Sequence, residues 1–290
     1  MKTQRGEAQR VRRCLAVNEC ISRWMFKGQS TQCVINPTLG QERRANEARR
    51  RVANPQRVLV VGGGPAGCEA AILAADRGHQ VELVERADRI GGQLHAWAAA
   101  SVFGAEVANM IRFYDTELER AGVTVRLGTD AATLDLSGWD AVLLATGTVA
   151  DDAQLDAVEL LATGTVPDAA EVTVFGETET ALFAALWLAE QGKQVNLISP
   201  AELPATDTND MQRDHLVGLL TGLGGKVTTG GARPTSGTVV SATPRTASTV
   251  LADQVDDDRV RSIGTRFRGG RMYEATQSGY WAAARIGDAR

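Results

Sequence analysis

The sequence predicts an α/β protein built from two doubly wound, parallel-sheet units, the second inserted in the first. Three observations carry this. Short β-branched runs alternate with helical stretches across residues 57–145, the mark of parallel strands joined by crossover helices. The same alternation restarts at Val172 and runs to Thr229. With 290 residues, the chain is also longer than one small core requires.

Each element has its own reason. Residues 1–54 are basic and weakly periodic, and Asn54-Pro55-Gln56 leads into the first strong strand, Arg57–Val61. Gly62–Gly67 is a glycine-rich turn, Cys68–Arg77 a helix stopped by Gly78, and Val81–Glu85 a second strand. Val107, Met110, Ile111, Tyr114 and Leu118 recur at helical spacing within residues 104–121. Val123–Leu127 and Ala141–Ala145 read as further buried strands. In the second unit, Val172–Phe175, Val195–Ser199 and Lys226–Thr229 are strands. Helices are expected over Thr180–Gln191, stopped by Gly192, and over residues 208–223. Residues 230–250 are rich in Gly, Thr, Ser and Pro, and the chain closes with a helix over residues 271–286. The expected division is a basic linker or docking segment (1–54), a first unit (55–150 with 260–290) and a shortened second unit (151–259).

Composition narrows the class. An apolar fraction of 43% and a charged fraction of 23% are those of an ordinary globular protein. No stretch of some 18 apolar residues predicts a membrane helix, and residues 1–13 do not read as a secretory signal. A cytoplasmic setting is expected. The net charge of -4 conceals an asymmetry: residues 1–60 carry 13 Lys and Arg against 4 Asp and Glu. Such a segment suits an acidic partner or nucleic acid. Its only aromatic residues are Trp24 and Phe26, which argues against nucleic acid.

The chemistry concentrates in two places. The first is Gly62-x-Gly64-x-x-Gly67, directly after a strand and before a helix. Gly62 permits the tight turn, Gly64 lets a pyrophosphate approach the backbone, and Gly67 lets helix and strand pack closely. The phosphates would rest on the free N–H groups at the helix start. Glu85, at the end of the second strand, is placed to accept hydrogen bonds from a ribose. Gly91-Gly92-Gln93-Leu94 follows it, and Leu143–Thr148 ends a later strand.

Together these features resemble the flavoproteins with two dinucleotide-binding domains in the glutathione-reductase-like arrangement, where the first site holds FAD. The resemblance implies cofactor contacts from Gly62, Gly64, Pro65, Ala66, Gly67, Glu85, Arg86, Gly92, Gln93, Ala145, Thr146 and Gly147. A C-terminal Ile-Gly-Asp of that family is here Ile263-Gly264-Thr265, so Gly264 and Thr265 join the candidates without the acid. Either FAD or ADP is expected in this site. The second unit keeps one glycine of three, in Gly176-Glu177-Thr178-Glu179-Thr180-Ala181. Two carboxylates stand where a phosphate should lie, and NAD(P) is therefore not expected there.

The second place is the cysteine segment Cys14-x2-Val17-x2-Cys20-x12-Cys33. With Asn18, Ile21, Arg23, Trp24, Asn36 and Pro37 in register, it resembles the cluster-binding segment of the trimethylamine dehydrogenase, histamine dehydrogenase and dienoyl-CoA reductase family. In that family four thiolates hold a [4Fe–4S] cluster. Here Val17 takes the second position, and an isopropyl group gives iron no electron pair. Both a three-cysteine iron–sulfur site on Cys14, Cys20 and Cys33 and no cluster at all remain open. Cys68 reads as a packed helix residue.

The family's N-terminal flavin barrel has no counterpart in this sequence. The resemblance implies a nucleotide-binding subunit working in electron transfer with a separate flavin-barrel subunit, passing electrons to a carrier protein. A non-catalytic structural subunit with a bound nucleotide, or an NAD(P)H-dependent flavin reductase, are the alternatives. No substitute catalytic centre is evident. His79, His95 and His215 are scattered, with only His95 near the expected nucleotide. The Asp151–Asp152 and Asp256–Asp258 runs lack cation-loop spacing. Tyr280–Trp281 reads as core or interface.

Overall fold

The structure, a computed structural model, describes residues 2–100, 102–150, 155–248, 251, 258–264 and 271–287. Near its start, a short α1 (Glu19–Ile21) runs into a π-helical turn at Ser22–Phe26, and α2 (Glu42–Ala48) follows. The first unit then runs β1 (Arg57–Val61), α3 (Pro65–Asp76), β2 (Gln80–Val84), α4 (Leu94–Ala99), α5 (Gly104–Ala121), β3 (Thr124–Arg126) and β4 (Ala141–Leu144). A two-residue strand β5 (Thr148–Val149) and α6 (Ala157–Thr163) lead into the second unit. That unit comprises β6 (Glu171–Phe175), α7 (Glu179–Glu190), β7 (Gln194–Ser199), α8 (Asp210–Gly222), β8 (Lys226–Thr229) and β9 (Val239–Ser241). The chain returns through β10 (Thr246–Ala247), β11 (Val260–Ser262) and α9 (Met272–Ala283).

Two parallel sheets result. The first has the order β11-β4-β1-β2-β3 and the second β8-β7-β6-β9. Because β11 joins the first sheet after the second is complete, the second unit is inserted in the first. In the middle of the first sheet, β1 has Val58, Leu59 and Val60 wholly buried. Both faces are covered, so its apolar run is continuous rather than alternating. The antiparallel pair β5–β10 ties the two passages between the units together. Arg245 pins it, donating to the Thr148 carbonyl at 3.1 Å and pairing with Asp156 at 2.5 Å.

Three differences from the sequence reading have plain causes. Helix α3 starts at Pro65 rather than Cys68, because proline's fixed φ suits the first helical position and its missing N–H costs nothing there. Helix α6 was not anticipated, although Asp156 accepts from the Glu159 N–H at 3.0 Å, a capping pattern legible as Asp156-x-x-Glu159. Strands β5, β9 and β10 are two or three residues long and lie partly in Gly- and Thr-rich sequence, so pairing, not propensity, makes them.

The basic N-terminal segment lies against the acidic body. Arg12 forks onto the buried Glu69, Arg10 bonds Glu117 at 2.7 Å, and the Arg44 guanidinium stacks over Trp281 at 4.0 Å. Leu15 and Ile35 enter the first core. Part of the segment's positive charge is therefore neutralised within the chain. Three consecutive apolar residues of the π-turn nevertheless face outward: Trp24, Met25 and Phe26 are 66%, 61% and 67% exposed.

Candidate nucleotide site

The glycine-rich turn sits at the carboxyl end of β1, where the β1–α3 crossover begins. Gly62 has φ +108°, and a Cβ there would come within 2.3 Å of the Ala145 carbonyl oxygen. At Gly67 a Cβ would meet the Gly62 oxygen at 1.9 Å. Neither position tolerates a side chain, because the contacts are backbone. Gly64 is the opposite case. A Cβ there would meet nothing within 4 Å, so its face of the turn is open to a ligand. The first N–H groups of α3 point from the same end.

Glu85 follows β2 and reaches this turn. Its carboxylate accepts from the Gly63 N–H at 2.6 Å and from the Ala87 N–H at 2.8 Å. Those two bonds fix the acid against the glycine-rich turn. Arg86 beside it is exposed. The Gly91–Leu94 turn closes over the top: Gly91 N–H donates to the Gly63 carbonyl at 2.8 Å, and a Cβ on Gly92 would sit 3.1 Å from the Gly64 Cα. Gln93 donates to the Thr148 hydroxyl at 2.6 Å, linking this turn to β5. Thr146 donates to the Ser248 carbonyl at 3.3 Å, and Gly147 has φ +73°.

The return of the chain completes the wall. Gly264 (φ +91°) donates to the Ser278 hydroxyl at 2.7 Å and lies against Ala66. On α9, a Cβ at Gly279 would meet the Ala66 oxygen at 2.1 Å, so α9 packs on the start of α3 at backbone distance. The structure thus gathers Gly62, Gly64, Pro65, Ala66, Gly67, Glu85, Gly92, Ala145 and Gly264 around one turn. Thr265 and most of residues 266–271 lie outside the described residues. Gly63, Gly91 and Gly279 were missed from sequence. The first two stood inside runs already flagged, whereas Gly279 carries no local signal. His95 is explained by its bond to the Ile90 carbonyl at 2.7 Å, which braces the Gly91 turn. These residues fit the ADP portion of a dinucleotide: a side-chain-free backbone face, helix N–H groups and an oriented carboxylate.

The cysteines do not fit a cluster. Cys14 is exposed with its sulfur accepting from the Ala16 N–H at 3.3 Å, while Cys20 and Cys33 are half-buried. Among the described residues, no three His, Cys, Asp or Glu side chains converge on a possible metal position. Val17 packs against the first core instead. Cys68 is fully buried, as a packed helix residue should be. Burial raises its thiol pKa well above the usual range, which leaves it protonated and unreactive.

In the second unit, Gly176 repeats the close approach of Gly62: its Cβ would meet the Ala242 oxygen at 2.1 Å. Here, however, Thr178 and Glu179 begin the helix. An open cleft runs between the two units and the N-terminal segment, bordered by Val17, Gln93, Thr148, Glu179, Asp207 and Arg271. Glu179's carboxyl is pushed up to about 7 by burial and by the neighbouring Asp207.

Two parallel-sheet units, the second inserted in the first, with a glycine cradle on the first define a dinucleotide-binding fold. The chain belongs to the pyridine nucleotide-disulphide oxidoreductase family, whose model matches residues 24–173. It is 33% identical over 244 residues to an NADH oxidase of Thermoanaerobacter brockii, covering 79% of this chain and 37% of that protein. Among solved structures, a 2-naphthoyl-CoA reductase complex aligns with a TM-score of 0.89 at 27% identity, covering 98% of this chain and 48% of that one. Histamine dehydrogenase from Rhizobium sp. 4-9 shares the fold with a TM-score of 0.79 at 20% identity, over 100% of this chain and 53% of the other. The chain is also 36% identical over 97 residues to a dimethylamine dehydrogenase of Hyphomicrobium sp. (strain x), covering 32% of this chain and 13% of that protein, so the family resemblance expected from sequence is met, though not its cluster site. The chain spans about half the length, or less, of these proteins. No described helix is long and apolar enough to cross a membrane.

Proposed function

We propose that the chain is the nucleotide-binding subunit of a trimethylamine-dehydrogenase-like oxidoreductase. It holds FAD, or ADP in its place, and works in electron transfer beside a separate flavin-barrel subunit in the cytoplasm. The observation that carries this reading is the Gly62–Gly67 cradle with Glu85 bonded to it at 2.6 Å. Gly62, Gly64, Gly67 and the start of α3 hold the pyrophosphate; Glu85 orients the adenosine ribose. FAD, when bound, supplies one- and two-electron chemistry. The chain's own residues bind and orient it, with Gly92 and Gln93 closing one side and Ala145–Gly147 backing another.

The partner is supported by the exposed Trp24–Met25–Phe26 run. Adjacent large apolar residues on a protein surface mark an interaction site, and the exposed Lys27 beside them suits an acidic rim. Electrons leave to a carrier protein rather than to NAD(P), because the second unit has lost two of three glycines. No step passes through the cysteines.

The deciding experiment is chromatography of the nucleotide released by acid from the purified protein. FAD supports the electron-transfer reading. ADP, or FAD that no partner reduces, supports a second reading as a structural subunit, which the unconverged cysteines favour. A preparation without any nucleotide sinks both.

A further inference from the structure

The second unit copies the first residue for residue at its strand–turn–helix. Gly176 to Ala181 run in step with Gly62 to Gly67, and α7 begins at Glu179 where α3 begins at Pro65. The flanking strands correspond as well, with β9 beside β6 as β4 is beside β1. The frame of a phosphate cradle is therefore intact, yet its contents differ. The Glu179 N–H, the first amide of α7, donates to Asp207 Oδ1 at 2.6 Å. Thr178, standing where the open Gly64 stands, donates its hydroxyl to the Ala242 carbonyl at 2.7 Å.

The Glu179 carboxylate folds back over the same end, accepting from Thr208 Oγ1 at 2.9 Å and from Gln212 Nε2. Gln212 is only 5% exposed, and among the described residues its carbonyl oxygen has no partner. Arg271 offsets the pair only in part: its charge favours both carboxylates, yet burial still holds both carboxyls above their ordinary values, and its bonds go to the Asp207 backbone carbonyl at 3.2 Å and to Glu274 at 3.0 Å. Thr178, Glu179 and Asp207 all border the inter-unit cleft.

We propose that Asp207 is a built-in counter-anion: its carboxylate takes the place at the start of α7 that a dinucleotide phosphate takes in a working cradle, and with Glu179 it sets the second unit's specificity against NAD(P). A helix N-terminus favours an anion there, and a tethered carboxylate holds the position at high effective concentration. An incoming pyrophosphate would have to displace Asp207 and then lie against the Glu179 carboxyl, whose ionisation it would further oppose. This inference rests on the reading that electrons do not leave through NAD(P), and it names the residues that enforce it.

The test uses the full chain with its first-site nucleotide in place, titrated with NADH by calorimetry. Wild type binds weakly, and Asp207→Ser/Glu179→Gln binds at least about tenfold more tightly. Asp207→Asn, which keeps the shape and removes one charge, falls between them and serves if the double variant unfolds. Wild-type binding as tight as the double variant's overturns the inference. So does an absence of gain in a variant that melts like wild type. The nucleotide released from the first site is the same in every variant; its absence in wild type would count against the proposed function and not against the role of Asp207.

Discussion

At the scale of single residues, two glycines and two acids decide most of the chemistry. Gly67 faces the Gly62 oxygen at 1.9 Å from any added Cβ, so Gly67→Val forces helix and strand apart. The expected outcome is loss of the bound nucleotide and a stability loss of about 3 kcal/mol, read by released nucleotide and denaturant unfolding. Glu85→Gln keeps the shape but weakens the bond from Gly63 and, on the proposed function, the hold on the ribose. Nucleotide retention should fall by about tenfold while the melting temperature without nucleotide changes little. Glu179 carries a pH signature. Its carboxyl sits above its ordinary value of 4.5, at about 7, so the fold disfavours its ionised form. The contribution to stability is complete below the ordinary carboxyl range and is lost as the pH rises through about 7. Glu179→Gln should reduce the decline in unfolding free energy between pH 5 and 8 by on the order of 2 kcal/mol. An unchanged pH profile would contradict the assignment.

At the scale of elements, the N-terminal segment is held by ion pairs that are buried on one side only. Glu69 is 2% exposed on α3 and receives Arg12 and the Tyr114 hydroxyl, the latter at 3.0 Å. Arg12's guanidinium is held above its ordinary value by that carboxylate, although burial opposes it. Removing one member leaves an uncompensated charge in a low-dielectric site. Arg12→Ala is expected to cost about 3 kcal/mol or more, whereas Arg43→Ala, whose partner Glu47 is an exposed i,i+4 neighbour at 4.0 Å, should cost almost nothing. Paired unfolding curves of the two variants check the contrast. Helix α9 shows the same dependence on close fit. Gly279 lets it reach Ala66, and through Gly264 and Ser278 it seals the nucleotide turn from behind.

At the scale of the whole molecule, an inserted second unit gives two strand–turn–helix cradles, of which the first is open at Gly64 and the second, bordering the inter-unit cleft, is closed by its own acids. On the proposed function, the outward Trp24, Met25 and Phe26 are the surface toward the partner subunit. Trp24→Ser/Phe26→Ser should leave nucleotide content and melting unchanged while abolishing co-elution with a flavin-barrel subunit on size exclusion. Retained co-elution would remove this surface from the proposed interface.

Strands, long helices and the first cradle were legible because each depends on local pattern: β-branched runs, 3.6-residue periodicity, and glycines forced by backbone contact. The cysteine segment was legible only as spacing, since whether its thiols converge depends on how the Ala16 and Asn18 turns, both with positive φ, direct them in space. Gly279, the β5–β10 ribbon and the Arg12–Glu69 pair left no local trace, because their reasons lie dozens to hundreds of residues away. Glu177 and Glu179 told from sequence that the second cradle had changed. That Asp207, twenty-eight residues further on, supplies the anion was decided by tertiary structure alone. By itself the sequence determined the fold class and the first nucleotide turn, since both follow from short-range sterics and hydrophobic period. The cysteines' failure to converge and the closing of the second cradle were settled by packing, which alone brings distant charges and thiols to fixed distances.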